Sequence, residues 1–241
     1  MTRKNDVEAL LREAKVQYES VCESYEKALR DETLDLRTPV KNLMENLRSA
    51  LDYMAHDVYE LCCQSARVAS GKDEPRNIYF PYGRTKNDFR SGVGRSLPGL
   101  DTLAPNVYDL ISSIQPFQCG DDWLSDFCSI LNEKKHDRLT AQIRSKTETY
   151  TVRSKGGSVS IQVNNPDARV TSMPGAVKIF GMPAQLTDMG IHTAPSNELK
   201  HERTKWVAFR FEGTNVNVLG LLNKAFPGIA HLAESLYQQV G

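Results

Sequence analysis

No stretch of this sequence approaches the roughly 18 consecutive apolar residues that read as a membrane-spanning helix. The opening residues, MTRKNDVEAL, hold no apolar core of the kind a secretory leader carries. Neither sign of charge is in excess, since 30 Lys and Arg face 30 Asp and Glu. The global basic surplus of a strong nucleic-acid binder is therefore missing, which leaves only local patches to consider. Cysteine is sparse and unpatterned. Cys22, Cys62, Cys63, Cys119 and Cys128 are odd in number, include an adjacent pair and show no C-x-x-C spacing. A disulfide framework and a zinc site are both disfavoured by that arrangement. Internal repeats and low-complexity tracts are also missing. These absences predict a soluble, cytoplasmic protein without membrane attachment, metal or cofactor.

What is present begins with a heptad seam. Val7, Leu11, Ala14, Tyr18, Val21, Tyr25 and Ala28 recur at alternating spacings of four and three, and no Pro or Gly interrupts residues 3–32. The spacing predicts one long helix whose narrow apolar stripe needs a partner. Thr38-Pro39 reads as a helix start, and Leu43, Leu47, Ala50, Met54, Val58 and Leu61 continue an apolar stripe to about residue 68. With a short link between them, these two helices should form an antiparallel hairpin. The exposed seam of the first also suggests a homodimer through the N-terminal helices.

Residues 69–100 are rich in turn formers, yet carry Ile78, Tyr79, Phe80, Tyr82 and Phe89. They read as an ordered loop that pins its aromatics on the bundle, with a short helix near 86–92. A third helix is expected over 104–114, ended by Pro116, and a fourth opens at Asp121-Asp122. After about residue 146 the period changes. TETYTVRS, GSVSIQVN, ARVTS, AVKIFG and KWVAFRFEG are short, β-branched-rich segments between Gly, Pro and Asn turn signals. They predict one antiparallel sheet of four or five strands, with residues 190–204 as a polar loop. The end returns to helical spacing, broken or kinked at Pro227. The fold class is thus α+β. An up-down helical bundle with a long helical hairpin fills residues 1–145; a small antiparallel β-sheet and C-terminal helices fill 146–241, packed on the bundle.

Two places could carry chemistry. On the second helix Glu45, Arg48, Asp52 and His56 are spaced three, four and four apart, so they form one polar stripe in which Arg48–Asp52 and Asp52–His56 can pair. A carboxylate partner would orient the imidazole and favour its charged form. On the fourth helix, SILNEKKHDRLT follows an apolar run, and Asn132 and His136 sit four apart at the margin of its apolar face. Half-buried groups of that kind need partners, because an unsatisfied buried polar group costs roughly 1–3 kcal/mol. Arg48 and Asp52 are the natural candidates. Elsewhere the signals are weaker. Residues 134–155 hold seven Lys or Arg against two acids, a run that suits a solvated face better than a phosphate contact. His192 and His201 have no metal-ligand partner pattern, GGSVS lacks the strand-loop-helix context of a phosphate cradle, and no nucleophile elbow supports Ser-His-Asp catalysis.

The blocks NLRSALDYMA, FPYGRTKNDF, LISSIQPF and LNEKKHDRL, in that order over residues 40–140, resemble a family of uncharacterised bacterial proteins. Matched position by position, the resemblance singles out Arg48, Asp52, Asn132, Lys135 and His136 as a shared polar cluster. The chain departs from the pattern at Tyr53, where a His is usual, at Lys134, which replaces an Asp, and at Asp137, which replaces an Arg. The chain is also similar, more loosely, to the HEPN class of helical bundles, which includes metal-independent ribonucleases and nucleotide-binding modules. That nuclease motif needs an Arg followed by a His four to six residues on; Arg48 and His56 have seven residues between them. Two functions stay open. In the first, the cluster is structural and the protein is a non-enzymatic binding or interaction module. In the second, it is a hydrolase of RNA or a nucleotide, with His136 as general acid or base and Arg48 or Lys135 on the phosphate.

Overall fold

The computed structural model describes residues 2–29, 34–133, 142–163, 172–174, 176–187, 190–193 and 198–240. The chain divides into a helical unit, Met1–Gln142 with Phe211–Gly241, and a β unit, Ile143–Arg210. The helical unit is built from α1 (Lys4–Ala28), α2 (Arg37–Val58), a π turn (Tyr59–Cys63) running into α3 (Gln64–Ala69), α4 (Lys86–Ser96), the short α5 (Leu100–Leu103), α6 (Pro105–Ser113), α7 (Pro116–Cys119), α8 (Trp123–Glu133) and α9 (Val218–Val240). No helix among the described residues is long and apolar enough to cross a membrane.

The expected α1–α2 hairpin forms. Val7, Ala14, Val21, Tyr25 and Ala28 are buried, and α1 packs against both α2 and α9. The seam that suggested a dimer is therefore covered within the chain. Tyr18, on the same stripe, stacks its ring on Phe226 of α9 at 5.2 Å and donates its hydroxyl to Asn223 Oδ1 at 2.8 Å. Helix α2 starts one residue earlier than Thr38, at Arg37. Its N-cap residue is Leu36, which offers no side-chain cap; the Asp35 carboxylate just before it accepts from the Arg37 N–H at 2.9 Å.

The α2 stripe holds through Val58 and then slips. A π turn closes from residue i to i+5, so it takes one more residue than an α turn. Within it Cys63 is fully buried, whereas Leu61, which the spacing placed on the stripe, is 47% exposed.

The C-terminal helix belongs with the bundle, not with the sheet, so the boundary expected at 145 and 146 describes only the first junction. Val218, Leu221, Leu222, Ala225, Ile229, Leu232, Ala233 and Leu236 bury one face of α9, against α1, α2, α6 and α8. Apolar burial of roughly 1.5–3 kcal/mol per large side chain decides the grouping over sequence order. Pro227 does not break α9, which runs through it. The residue after it is glycine for a reason of space: a Cβ at Gly228 would lie 2.9 Å from Trp123 Cζ2 on α8.

The β unit holds two sheets in place of one. The first has strand order β2-β1-β6, with β1 (Gln142–Ser154), β2 (Gly157–Val163) and β6 (Lys200–Phe211); the second has order β3-β4-β5, with β3 (Val177–Ile179), β4 (Met182–Thr187) and β5 (Gly190–Thr193). β1 and β2 pair antiparallel through a Lys155-Gly156 turn, with Ser154 opposite Gly157. β3 and β4 are joined by Phe180-Gly181, both at positive φ (51° and 80°). That is the geometry of a type I′ hairpin turn, whose twist matches the strands. Tyr150 and Val152 from one sheet and Ile179, Ala184 and Ile191 from the other bury into one small core. Residues 190–204 are accordingly strand at both ends, with β5 pairing Leu186 to Ile191 and Ala184 to Thr193. The segment expected as a strand at ARVTS falls largely outside the described residues.

Candidate functional site

The site is assembled from α2, α4, α8 and the strap Tyr79-Phe80-Pro81-Tyr82 between them. Arg48 lies on α2 next to the apolar face and is only 9% exposed. Its Nε donates to Asp52 Oδ2, one turn along, at 3.2 Å, and its Nη1 donates to Cys128 Sγ on α8 at 2.9 Å. The guanidinium carbon stands 5.7 Å from the centroid of the Tyr82 ring, within cation–π range. Burial pushes the Cys128 thiol up to about 11, against the pull of Arg48, so it is a neutral and weak acceptor at physiological pH. Asp52 is the only anion paired with Arg48 among the described residues, and its other oxygen accepts the Phe80 backbone N–H at 2.9 Å.

The strap is held from several sides. Gln115 donates to Pro81 O at 3.3 Å and to Ile111 O at 3.1 Å, and accepts from the Gly83 N–H at 3.1 Å. The Tyr79 N–H donates to Ser96 Oγ at 3.3 Å, and Asn132 Nδ2 donates to the Tyr82 hydroxyl at 2.8 Å. Past the strap, Arg84 bonds Asp126 on α8 at 2.5 Å. Next comes α4, opened by a Thr85–Asp88 capping box. It runs on to Ser96, four residues beyond the expected 86–92. Gly83 is where this turn is tightest. A Cβ there would lie 2.5 Å from the Phe89 backbone nitrogen, and backbone cannot yield as a side-chain tip can. Gly83→Ala should therefore destabilise the protein by about 1–3 kcal/mol through overpacking; an unchanged thermal melt would show that the turn has slack.

Between these elements lies an open cleft of about 450 Å³. Arg48, the strap, Gly92, Arg95, Ser96 and Asn132 line it. Gly92, Arg95 and Ser96 are at positions i, i+3 and i+4, one face of α4. The arrangement can hold a ligand that carries negative charge, because the lining offers guanidinium, hydroxyl and amide groups and, among the described residues, no carboxylate.

Of the five expected site residues, three are described. Arg48 and Asp52 pair as their spacing implied, and Asn132 joins them through Tyr82, without touching either directly. Lys135 and His136 lie outside the described residues. The Asp52–His56 pair is not formed: Asp52 is taken by Arg48 and Phe80. His56 instead lines a different hollow, with Arg3, Tyr59 and Glu60. In that hollow the Arg3 guanidinium holds the Glu60 carboxyl below the usual carboxylate range. Spacing within α2 could not reveal Tyr82, Cys128, Arg95 or Ser96, which come from other elements. The aromatic-proline strap was their one visible signal. In the β unit, His192 bonds Thr187 and His201 bonds Thr193, and no group of three potential metal ligands occurs among the described residues. Compared with protein-family models, with curated proteins and with solved structures, the chain matches none of them.

Proposed function

We propose that the protein is a non-enzymatic binding module, whose ligand is a small molecule bearing negative charge held in the α2–α4–α8 cleft. One observation carries the reading: Arg48 is almost sealed from water, is gripped by Asp52, Cys128 and Tyr82, and still lines an open cleft. The same network that fixes the packing of α2 against α8 fixes the direction of a cation. A side chain already immobilised gives up little further rotamer freedom when a ligand arrives, and that preorganisation favours binding. Five free thiols suit a reducing compartment, and the reading places the protein in the cytoplasm. A homodimer through α1 is not part of it, since α2 and α9 cover the seam.

Titration of the full chain with inorganic phosphate, small phosphate esters and small carboxylates should give saturable binding, with the ligand recovered chemically unchanged. Absence of binding to every anion at millimolar concentration would overturn the reading.

A second reading keeps the cleft and makes it catalytic, as a HEPN-like, metal-independent hydrolase of RNA or a nucleotide. It is favoured by Arg48 reaching a cleft at all, where a guanidinium could hold a phosphate for His136 to act on. Labelled RNA incubated with the protein without metal decides between the two. Cleavage abolished by His136→Ala, with the melting temperature kept, would establish the hydrolase; intact RNA would remove it.

A further inference from the structure

We propose that the ligand class of this cleft is a phosphomonoester carried on a planar ring, with the phosphate on Arg48 and Arg95 and the ring against Tyr79. The inference rests on the binding reading above and specifies its ligand.

The polar inventory of the lining is one-sided. Arg48 uses Nε and one Nη1 hydrogen inside the network; among the described residues, no acceptor meets its Nη2 group. Arg95 is exposed on the facing helix and forms no ion pair among the described residues. Ser96 is buried, and its oxygen is already an acceptor for the Tyr79 N–H. Its own hydrogen is the part left to donate. Tyr82 likewise accepts from Asn132 and keeps its phenolic hydrogen. Two guanidinium groups and two hydroxyl hydrogens, from α2, α4 and the strap, therefore surround one space. Asp52 stands behind Arg48, with one oxygen on Arg48 and the other on Phe80. A single carboxylate is satisfied by one guanidinium fork, whereas a phosphate monoester has three charged oxygens to divide among several donors.

The space is also larger than a bare oxyanion requires. At about 450 Å³ it falls in the range of small-molecule sites. Its wall carries an aromatic ring open to solvent: Tyr79 is 50% exposed, while Phe80 beside it is buried. Tyr79 lines the cleft, and the bond from its backbone N–H to Ser96 keeps the residue beside the donors. An exposed aromatic face next to an oxyanion site favours a flat group attached to the anion, through stacking contacts of about 0.5–1.5 kcal/mol.

Isothermal titration of the full chain tests this with five probes: phenyl phosphate, glycerol 3-phosphate, inorganic phosphate, benzoate and phenol. Phenyl phosphate should bind tightest, at least about tenfold tighter than glycerol 3-phosphate or benzoate. Arg95→Ala should weaken both phosphate esters by about tenfold or more. Tyr79→Leu should reduce phenyl phosphate to the level of glycerol 3-phosphate and leave the latter unchanged. Both side chains reach solvent, so the variants should fold, which circular dichroism checks. Benzoate equal to phenyl phosphate would overturn the phosphate assignment; a ringless ester as tight as the ringed one would overturn the stacking wall. Either result leaves the binding module intact, whereas no heat with any anion removes both.

Discussion

Asp57→Ala should cost the helical unit roughly 3–5 kcal/mol, the range for breaking a buried charged pair from one side. The Asp57 side chain is fully inaccessible, with 0% exposure. It accepts the backbone N–H of Arg3 on both oxygens, at 3.0 and 2.9 Å. It also takes Arg3 Nη1 at 3.0 Å and the Tyr237 hydroxyl at 2.7 Å. One carboxylate thus satisfies the backbone N–H just ahead of α1, a guanidinium and a phenol from α9. Burial, with Asp57 beside it, pushes the Tyr237 phenol well above the ordinary tyrosine range, so that group is a proton donor at any pH the protein meets. In Asp57→Ala the hydroxyl loses its acceptor inside the bundle, and the start of α1 loses its anchor. Asp57→Asn keeps the shape and some of the bonds and should lie between variant and parent. Denaturant unfolding followed by helical ellipticity is the measurement, and a loss below about 1 kcal/mol would mean that water replaces the carboxylate easily.

The second large effect is expected at Arg48. Arg48→Leu leaves Asp52 with the Phe80 N–H as its recorded donor. The Asp52 side chain keeps 20% of its surface in water, so the cost falls below that of a sealed pair, to about 2 kcal/mol. The same variant should lose phosphate binding altogether. Arg48→Lys separates the two roles, because lysine retains charge but cannot keep the fork to Asp52 and Cys128 or lie flat on Tyr82. It should bind phosphate at least about tenfold more weakly than the parent while recovering part of the stability. A variant that is destabilised yet binds phosphate normally would reduce Arg48 to a packing element.

Much of the helical unit was legible because local spacing dictates it. The 3.6-residue period placed α1 and most of α2, and the four-residue step from Arg48 to Asp52 predicted their pair. Where the reading failed, a physical cause can be named. The π turn at 59–63 alters phase without any Pro or Gly to announce it, so Leu61 looked buried and is exposed. Asp57 sits beside the apolar stripe, three residues after Met54 and next to Val58, and is buried with them. An acid there signals a buried partner, but its partners lie 54 and 180 positions away. The cleft was invisible for a related reason: the strap, α4 and α8 meet α2 only in three dimensions. The strands were recognised by their β-branched content, but which strand joins which sheet depends on turn geometry at Gly157 and Gly181 and on a core shared between sheets.

The β unit interrupts the helical unit in sequence, entering after Gln142 and returning at Phe211. During synthesis, α1 and α2 emerge long before α9, so the groove that α9 will occupy must wait, wet and unsealed. Asp57 spends that interval without Tyr237, and the closing step joins ends separated by a long excursion whose entropic penalty grows only logarithmically with its length. The last helix therefore acts as the latch of the bundle, and a ribosome-bound chain stopped before residue 218 holds a hairpin still lacking its third wall.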